Sequence, residues 1–448
     1  MFTKSKSMKL SAKQREELKH LKSSFPDDSV LGRFSPHTSI VEVNVFDTKK
    51  VNTCIKDGNH MPARQDLSTL SHEMTHWLDF FGTIWGRGYI RKICNAYVAV
   101  SREKEDGFRE LVELHDYDRH VLAPAYYKYV FEPSFVHDTK TPWTIDYSAG
   151  FEFDPYGNLN TERPLFFCKF GDNPTRKNFA RQPMSIGTLL EVRAVAAEYK
   201  TGVSSIATNP DKDEQGVERR LLADEVSGLA YNHKLIDYNV AVHLLSAQSD
   251  CKDIFVAYRL ASHLAYLALN LQKTHFDQLN VPEGFAPFGA ANEAFKLKLD
   301  PGYAFACMVF SGGKYEEGND EGYIKNCLMS VNLPTADEIL ISAQETLREE
   351  LIIPVENEAT VHFVENCKSS ALINEKMTGE PYYTIDSAFL FTNQELCPPF
   401  LDSEGEFIEL QDGGAVVGQD LSKVHDVSIE LLEYTRNFLT GCRGLFQE

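Results

Sequence analysis

The sequence contains no regular pattern of cysteines. Its nine cysteines are odd in number, are spread across the 448 residues and never form a Cys-x-x-Cys pair. A disulfide framework or a cysteine-based zinc ribbon requires closer and more regular spacing. We therefore expect reduced, buried thiols, as is typical of a cytoplasmic protein.

Basic residues are scarce relative to acidic ones. The chain has 45 Lys and Arg against 65 Asp and Glu, which gives a formal net charge of -20. Proteins that bind nucleic acid or anionic lipid present an excess of positive charge. We therefore expect neither nucleic acid nor a membrane surface as a partner.

Long apolar segments are also missing. No run of 18 or more apolar residues occurs, and the nearest candidate, 253–271, is interrupted by Arg259, His263 and Asn270. A membrane-spanning helix needs about 20 consecutive, mostly apolar residues. The first 22 residues carry charges throughout and lack the apolar stretch of a signal peptide. We expect no membrane span and a cytoplasmic location.

The composition that remains is that of a globular protein. Hydrophobic residues make up 43% of the chain, and its length favours about two or three domains. Helical and strand-like patterns occur together, which predicts an α+β fold. We place a boundary near residue 250, between a first domain over 1–250 and a mainly helical accessory region over 251–448. This accessory region is where a protein partner can bind.

Hydrophobic periodicity predicts the individual elements. Alternation predicts a half-buried strand over 38–46, and helical periodicity predicts a helix over 66–81 that ends at Gly82. A second strong helix is predicted over 186–200, stopped by Gly202 and followed by an exposed loop over 209–220. Further predicted elements are helices over 11–23, 253–271, 335–350 and 425–440, and strands over 164–170 and 382–391.

One motif in the first strong helix indicates chemistry. His72, Glu73 and His76 form the HExxH pattern. At 3.6 residues per turn the two histidines lie on one face of the helix, where both imidazoles can bind one zinc ion. Glu73 lies about 100° around the helix, where it can reach a water on the metal. The motif therefore predicts a zinc site with Glu73 as its general base.

The rest of the helix shows which face is available. An apolar stripe is predicted to face the core, and His72, His76 and Asp79 fall together on the opposite side. We expect this opposite side to face a cleft. Asp79 can orient a ligand imidazole from outside the coordination sphere, although an exposed helix carboxylate is equally ordinary. The stripe consists of Leu67, Leu70, Met74, Trp77, Leu78 and Phe81.

A catalytic zinc normally has three protein ligands and a water. The extended motif HExxHxxGxxH is absent, so the third ligand must come from another part of the chain. The helix predicted over 186–200 offers Glu191 and Glu198, seven residues apart on one face. We favour Glu191 as the ligand and keep Glu198 as an alternative ligand or an outer residue that supports the site.

This arrangement resembles a known family. A strand over 38–46, the HExxH helix and a later helix with Glu191 preceded by Gly187 resemble the zincin metallopeptidases, specifically the gluzincins. The segment 72–86 is similar to that of uncharacterised bacterial and phage proteins with a zincin-like domain. The resemblance implies a zincin-like catalytic core within 1–250 and hydrolysis of peptide or protein substrates. Thermolysin-type gluzincins have an Asp four residues after the Glu ligand, where this chain has Val195.

The residue chemistry predicts a mechanism and leaves one role open. Zinc held by His72, His76 and Glu191 would lower the pKa of its water toward about 7, and Glu73 would take up the proton and pass it to the leaving amine. The oxyanion then needs a further electrophile. Tyr199, Tyr231, His233 and Arg193 are near the second helix in sequence and are candidates for this role.

Two other functions remain open from the sequence. The zinc can act as a staple between helices in a non-catalytic interaction or sensor protein, or the protein can be a zinc hydrolase of a non-peptide bond. A purely structural zinc site has no use for a general base at position 73, so the presence of Glu73 favours turnover.

Overall fold

The fold is known from a computed structural model. It describes residues 3–4, 31–101, 107–122, 127–130, 142–153, 156–173, 177–349, 355–377, 384–409 and 421–441. Within these residues helices predominate and the strands form two small sheets, which confirms the α+β class. The region after residue 250 is mainly helical, as predicted. The helix predicted over 11–23 lies outside the described residues.

The described residues contain both strands and α-helices. The strands are β1 (Thr3–Lys4), β2 (Gly32–Ser35), β3 (Ile40–Val43), β4 (Tyr129–Val130), β5 (Thr144–Phe153), β6 (Leu159–Gly171), β7 (Asn178–Pro183), β8 (Phe400–Leu401) and β9 (Phe407–Glu409). The helices are α1 (Thr48–Asp57), α2 (Arg64–Gly82), α3 (Ile84–Ser101), α4 (Gly107–Tyr117), α5 (Ile186–Ala207), α6 (Lys212–Ala230), α7 (Ile236–Ser249), α8 (Ile254–Leu269), α9 (Lys273–Gln278), α10 (Ala290–Leu297), α11 (Pro301–Ser311), α12 (Asp320–Ser330), α13 (Ala336–Glu349), α14 (Glu358–Met377), α15 (Ser387–Thr392) and α16 (Leu421–Gly441).

The two sheets differ in their strand directions. The first sheet has the order β1-β9-β8-β3-β2, in which β3 pairs parallel with β8 and antiparallel with β2. The strand predicted over 38–46 is observed as β3, and β2 lies beside it at the edge of the sheet. The second sheet is antiparallel, has the order β4-β7-β6-β5 and contains the strand predicted over 164–170 within β6.

The chain divides into two compact units, and each consists of separate segments. Unit 1 contains residues 1–118, 197–222 and 344–448, and unit 2 contains residues 119–196 and 223–343. The boundary predicted near residue 250 therefore falls inside unit 2, and the division into 1–250 and 251–448 stays a prediction. The change of unit after residue 196 lies within helix α5, which continues without a break to Ala207.

Helix α2 is the central helix of unit 1. It extends over Arg64–Gly82, close to its predicted range of 66–81, and every residue of the predicted apolar stripe is buried. The helix packs against β2 and β3, against α3, and against α14 and α15. The indole Nε1 of Trp77 donates to Oδ1 of Asn366 on α14 at 2.7 Å. The face opposite the stripe is covered as well, because His76 and Asp79 are also buried.

Three predictions about local structure are wrong. Helix α5 does not stop at Gly202; the preceding residue, Thr201, contacts Ser71 on α2 and accepts from the Ser387 N–H through its hydroxyl. The loop predicted over 209–220 is mostly helix α6, whose first turn is capped by Oδ1 of Asp211. The strand predicted over 382–391 contains helix α15, where Asp386 caps the first turn by accepting from the Phe389 N–H.

Two expectations from composition can be compared with the described residues. Eight of the nine cysteines are described, and all eight are free, buried thiols, as predicted. None of the helices in the described part of the chain combines the length and apolarity needed to cross a membrane.

Candidate metal centre

The two histidines of the HExxH motif lie side by side on helix α2. Their Nε2 atoms are 3.2 Å apart, and their rings meet edge to face with centroids 4.9 Å apart. The helical repeat accounts for this placement, because residues four apart lie one turn above each other. His76 is almost fully buried, whereas the side chain of His72 is 15% exposed.

Glu191 on helix α5 lies close to the two histidines. One ligand atom each from His72, His76 and Glu191 lie within 4.8 Å of one another. Residues farther along the same continuous helix contact α2: the hydroxyls of Ser71 and Thr201 are 2.8 Å apart, and Ser68 donates to the carbonyl oxygen of Glu198. The three residues predicted as metal ligands are thus together, carried by two helices.

Glu198 takes a different position from Glu191. Its Oε2 lies 3.2 Å from Nδ1 of His72, the ring nitrogen that does not face His76. A carboxylate at Nδ1 keeps a proton on that nitrogen and leaves Nε2 with its lone pair available for a metal. This contact matches the supporting role that was one of the two alternatives for Glu198.

Glu73 is directed toward the first sheet. The residue is buried, and its Cγ lies 3.0 Å from the point that a Cβ on Gly32 would occupy. Burial raises the pKa of the Glu73 carboxyl to about 7; positive charge on His72 opposes this rise, and the carboxylates of Glu198 and Glu42 add to it. A carboxyl group with a pKa near 7 can exchange a proton close to neutral pH.

Asp79 is not an exposed helix carboxylate. The residue is completely buried, and its carbonyl oxygen accepts from the Thr83 hydroxyl at 2.6 Å. Its contribution to the metal site stays a prediction.

The candidates for stabilising an oxyanion lie in varied surroundings. Tyr199 is buried on α5 within unit 1. In unit 2, Tyr231 packs on Trp143 and His243, and burial raises the pKa of its hydroxyl. His233 begins a short 3-10 helix, His233–Leu235. Their role at the metal stays a prediction, and so does that of Arg193, whose guanidinium lies over the ring of Tyr266.

The donor set fits zinc. Two imidazoles and one carboxylate are the protein ligands of one common class of catalytic zinc site. Two nitrogens that bind one zinc at about 2.0–2.1 Å in a tetrahedral arrangement are about 3.3 Å apart. The observed separation of 3.2 Å between the Nε2 atoms agrees with this value.

Sequence reasoning missed the contact between Gly32 and the motif helix. A Cβ at this position would lie 2.8 Å from Cγ2 of Thr69 and 3.0 Å from the carbonyl oxygen of Glu42. Glycine is therefore what allows edge strand β2 to approach Glu73 this closely. No pattern around residue 32 indicates the contact, because it depends on how the strand packs on a helix 40 residues later.

A second acidic group is explained by its own turn. The ligand atoms of Asp402, Glu404 and Glu406 lie close together between β8 and β9. Oδ1 of Asp402 accepts from the backbone N–H groups of Glu404 and Glu406, both at 2.9 Å. These hydrogen bonds stabilise the turn and need no metal.

Comparisons with known proteins add no relative. No protein-family profile matches the chain, no curated protein matches its sequence and no solved structure matches its fold. The assignment of a metal centre therefore rests on the geometry of His72, His76 and Glu191.

Proposed function

We propose that the protein is a zinc-dependent metallopeptidase that hydrolyses peptide bonds in peptide or protein substrates. The observation that carries the proposal is the group formed by His72, His76 and Glu191 beside the motif residue Glu73. In this proposal β2, β3, α2 and α5 form a zincin-like core. A cytoplasmic location belongs to the same proposal and is supported by the eight free thiols.

Each residue has a defined role in this proposal. His72, His76 and Glu191 hold the zinc, and Glu198 fixes the ring of His72 through Nδ1. When bound, zinc supplies a positive charge that lowers the pKa of a water toward about 7 and polarises a carbonyl group. Glu73 would take a proton from the attacking water as general base and pass it to the amine as the peptide C–N bond breaks, a task suited to a carboxyl with a pKa of about 7.

One observation favours a second candidate, a non-catalytic zinc-stapled interaction or sensor protein. His76 is 3% exposed, Glu191 2% and Glu73 6%, so most of the centre is closed to solvent. A structural zinc site is closed, whereas a catalytic one keeps a position open for water and substrate. The side chain of His72 is partly exposed. In the catalytic proposal, a substrate would reach the zinc from the side of the centre where His72 lies.

The two candidates are separated by a cleavage assay at equal metal content. Zinc-loaded native protein and Glu73→Gln would be incubated with a peptide library, and new termini would be detected by mass spectrometry. We expect cleavage by the native protein and a loss of about 100-fold or more in Glu73→Gln, which is the range for removal of a general base. No cleavage by zinc-loaded native protein, or equal cleavage by both proteins, would rule out the peptidase and favour the staple.

A further inference from the structure

Arg193 is a fully buried cation close to the Glu191 ligand. It lies two residues after Glu191 on helix α5, and it is 0% exposed. Two residues correspond to about 200° around a helix, so the two side chains leave α5 on nearly opposite sides. Arg193 therefore contacts its neighbours on the side of α5 opposite to the side that carries Glu191.

Two contacts of Arg193 are made to helix α8. Its Cζ lies 4.2 Å from the ring centroid of Tyr266, and its Nη1 donates to the carbonyl oxygen of Ser262 at 3.5 Å. Tyr266 is almost fully buried, and α8 itself packs against α7, α11 and α12 within unit 2. A guanidinium held over an aromatic ring away from water is attracted by the π electrons of the ring.

The neighbouring histidine does not disturb this contact near neutral pH. His263 follows Ser262 on α8, and burial together with the positive charge of Arg193 lowers its pKa to about 4. Because His263 is uncharged at pH 7, it does not repel the guanidinium of Arg193. Asp320, which opposes the lowering, is paired with Arg259.

We infer that Arg193 is a positioning residue for Glu191, and that its contact with Tyr266 fixes the rotation of helix α5 and thereby the place of the Glu191 carboxylate. A rotation of about 20° moves an atom about 6 Å from a helix axis by about 2 Å. Metal–ligand distances tolerate only about 0.2 Å. This inference rests on the proposed zinc site and gives Arg193 a role other than stabilising an oxyanion.

The test measures metal affinity in the full-length chain. Zn²⁺ affinity would be determined by competition with a chromophoric chelator, and the visible absorption of bound Co²⁺ would report ligand geometry. Tyr266→Leu removes the ring, whereas Tyr266→Phe keeps it and is the matched control. Leu264→Ala, at another buried position of α8, controls for a general loss of stability.

We expect Tyr266→Leu to bind Zn²⁺ about 10- to 100-fold more weakly and to show an altered Co²⁺ spectrum, the range for loss of an outer contact of a metal site. Tyr266→Phe and Leu264→Ala should retain native affinity and the native spectrum at a temperature where they are folded. Arg193→Lys keeps the charge but loses the guanidinium over the Tyr266 ring, and it should weaken binding in the same way. It is the second test variant, which keeps the inference testable if Tyr266→Leu does not fold.

The outcomes separate the inference from the proposed function. If the native protein binds no Zn²⁺, both the proposed metal site and the inference about Arg193 are wrong. Native protein that binds Zn²⁺ while folded Tyr266→Leu or Arg193→Lys binds it equally well overturns the inference alone. Equal weakening in Leu264→Ala would also overturn it, because the effect would then follow stability rather than position.

Discussion

The two ends of the metal centre differ in their access to solvent. His76 and Glu191 form a buried end, at 3% and 2% exposure, whereas the side chains of His72 and Glu198 form an open end, at 15% and 31%. Burying an imidazole and a carboxylate away from water costs free energy that a bound cation can offset. Substitutions at the buried end should therefore reduce Zn²⁺ affinity the most, and substitutions at the open end should reduce it less.

The largest effect is expected at the buried end. His76→Ala removes a ligand that is closed to water. Loss of an outer contact lowers metal affinity by up to about 100-fold, and we expect His76→Ala to lower the affinity for Zn²⁺ by more than this. Chelator competition measures this loss. His60→Ala is the control, because His60 packs on Phe391 outside the ligand group. Native-like affinity in His76→Ala would contradict the importance of the buried end.

Addition of metal should stabilise the folded protein. Zn²⁺ at about 100 times its dissociation constant should stabilise the folded state by about 2.7 kcal/mol. This corresponds to a rise of about 5 to 10 °C in the unfolding transition that includes the site. Calorimetry with and without Zn²⁺ measures the shift, and His76→Ala should show none. An equal shift in both proteins would mean that Zn²⁺ binds elsewhere.

A smaller effect is expected at the open end. Glu198→Gln keeps the size of the side chain but removes the charge that holds a proton on Nδ1 of His72. Zn²⁺ affinity should fall about 10- to 100-fold, equivalent to about 1.4 to 2.7 kcal/mol. Titration calorimetry measures the change. If Glu198→Gln lost as much affinity as His76→Ala, the distinction between the two ends would be wrong.

The smallest effect on binding is expected at Glu73. Glu73 is also buried, at 6% exposure, but its side chain is directed away from the histidines and contacts edge strand β2 near Gly32. Glu73→Gln should therefore leave Zn²⁺ affinity within about threefold of the native value, well below the effect of losing an outer contact. A large loss in the chelator assay would show that burial alone, rather than ligation, sets the affinity.

The helix that carries the motif could be predicted well because its signals are local. The apolar stripe from Leu67 to Phe81 and the spacing of His72 and His76 determine the helix and the meeting of the two imidazoles. Glu191 follows from the need of a zinc site for a third ligand, and one ligand atom of Glu191 lies within 4.8 Å of those of the two histidines. These inferences required only the helical repeat and the chemistry of zinc.

The surroundings of the motif could not be predicted in the same way. The sequence predicts that the face of α2 with His72, His76 and Asp79 borders a cleft, but His76 and Asp79 are buried at 3% and 0% exposure. Helix α5 continues past Gly202, where Thr201 contacts Ser71 and Ser387, so tertiary contact outweighs the low helix propensity of glycine. The cap residues Asp211 and Asp386 were local signals that were available and missed.

The most direct measurement is the metal content of the native protein, Glu191→Ala and Glu198→Ala, each supplied with Zn²⁺ and desalted before mass spectrometry. We predict close to one zinc per chain in the native protein and in Glu198→Ala, and none in Glu191→Ala. No zinc in the native protein after zinc is added back, or equal zinc in Glu191→Ala, would contradict the site formed by His72, His76 and Glu191.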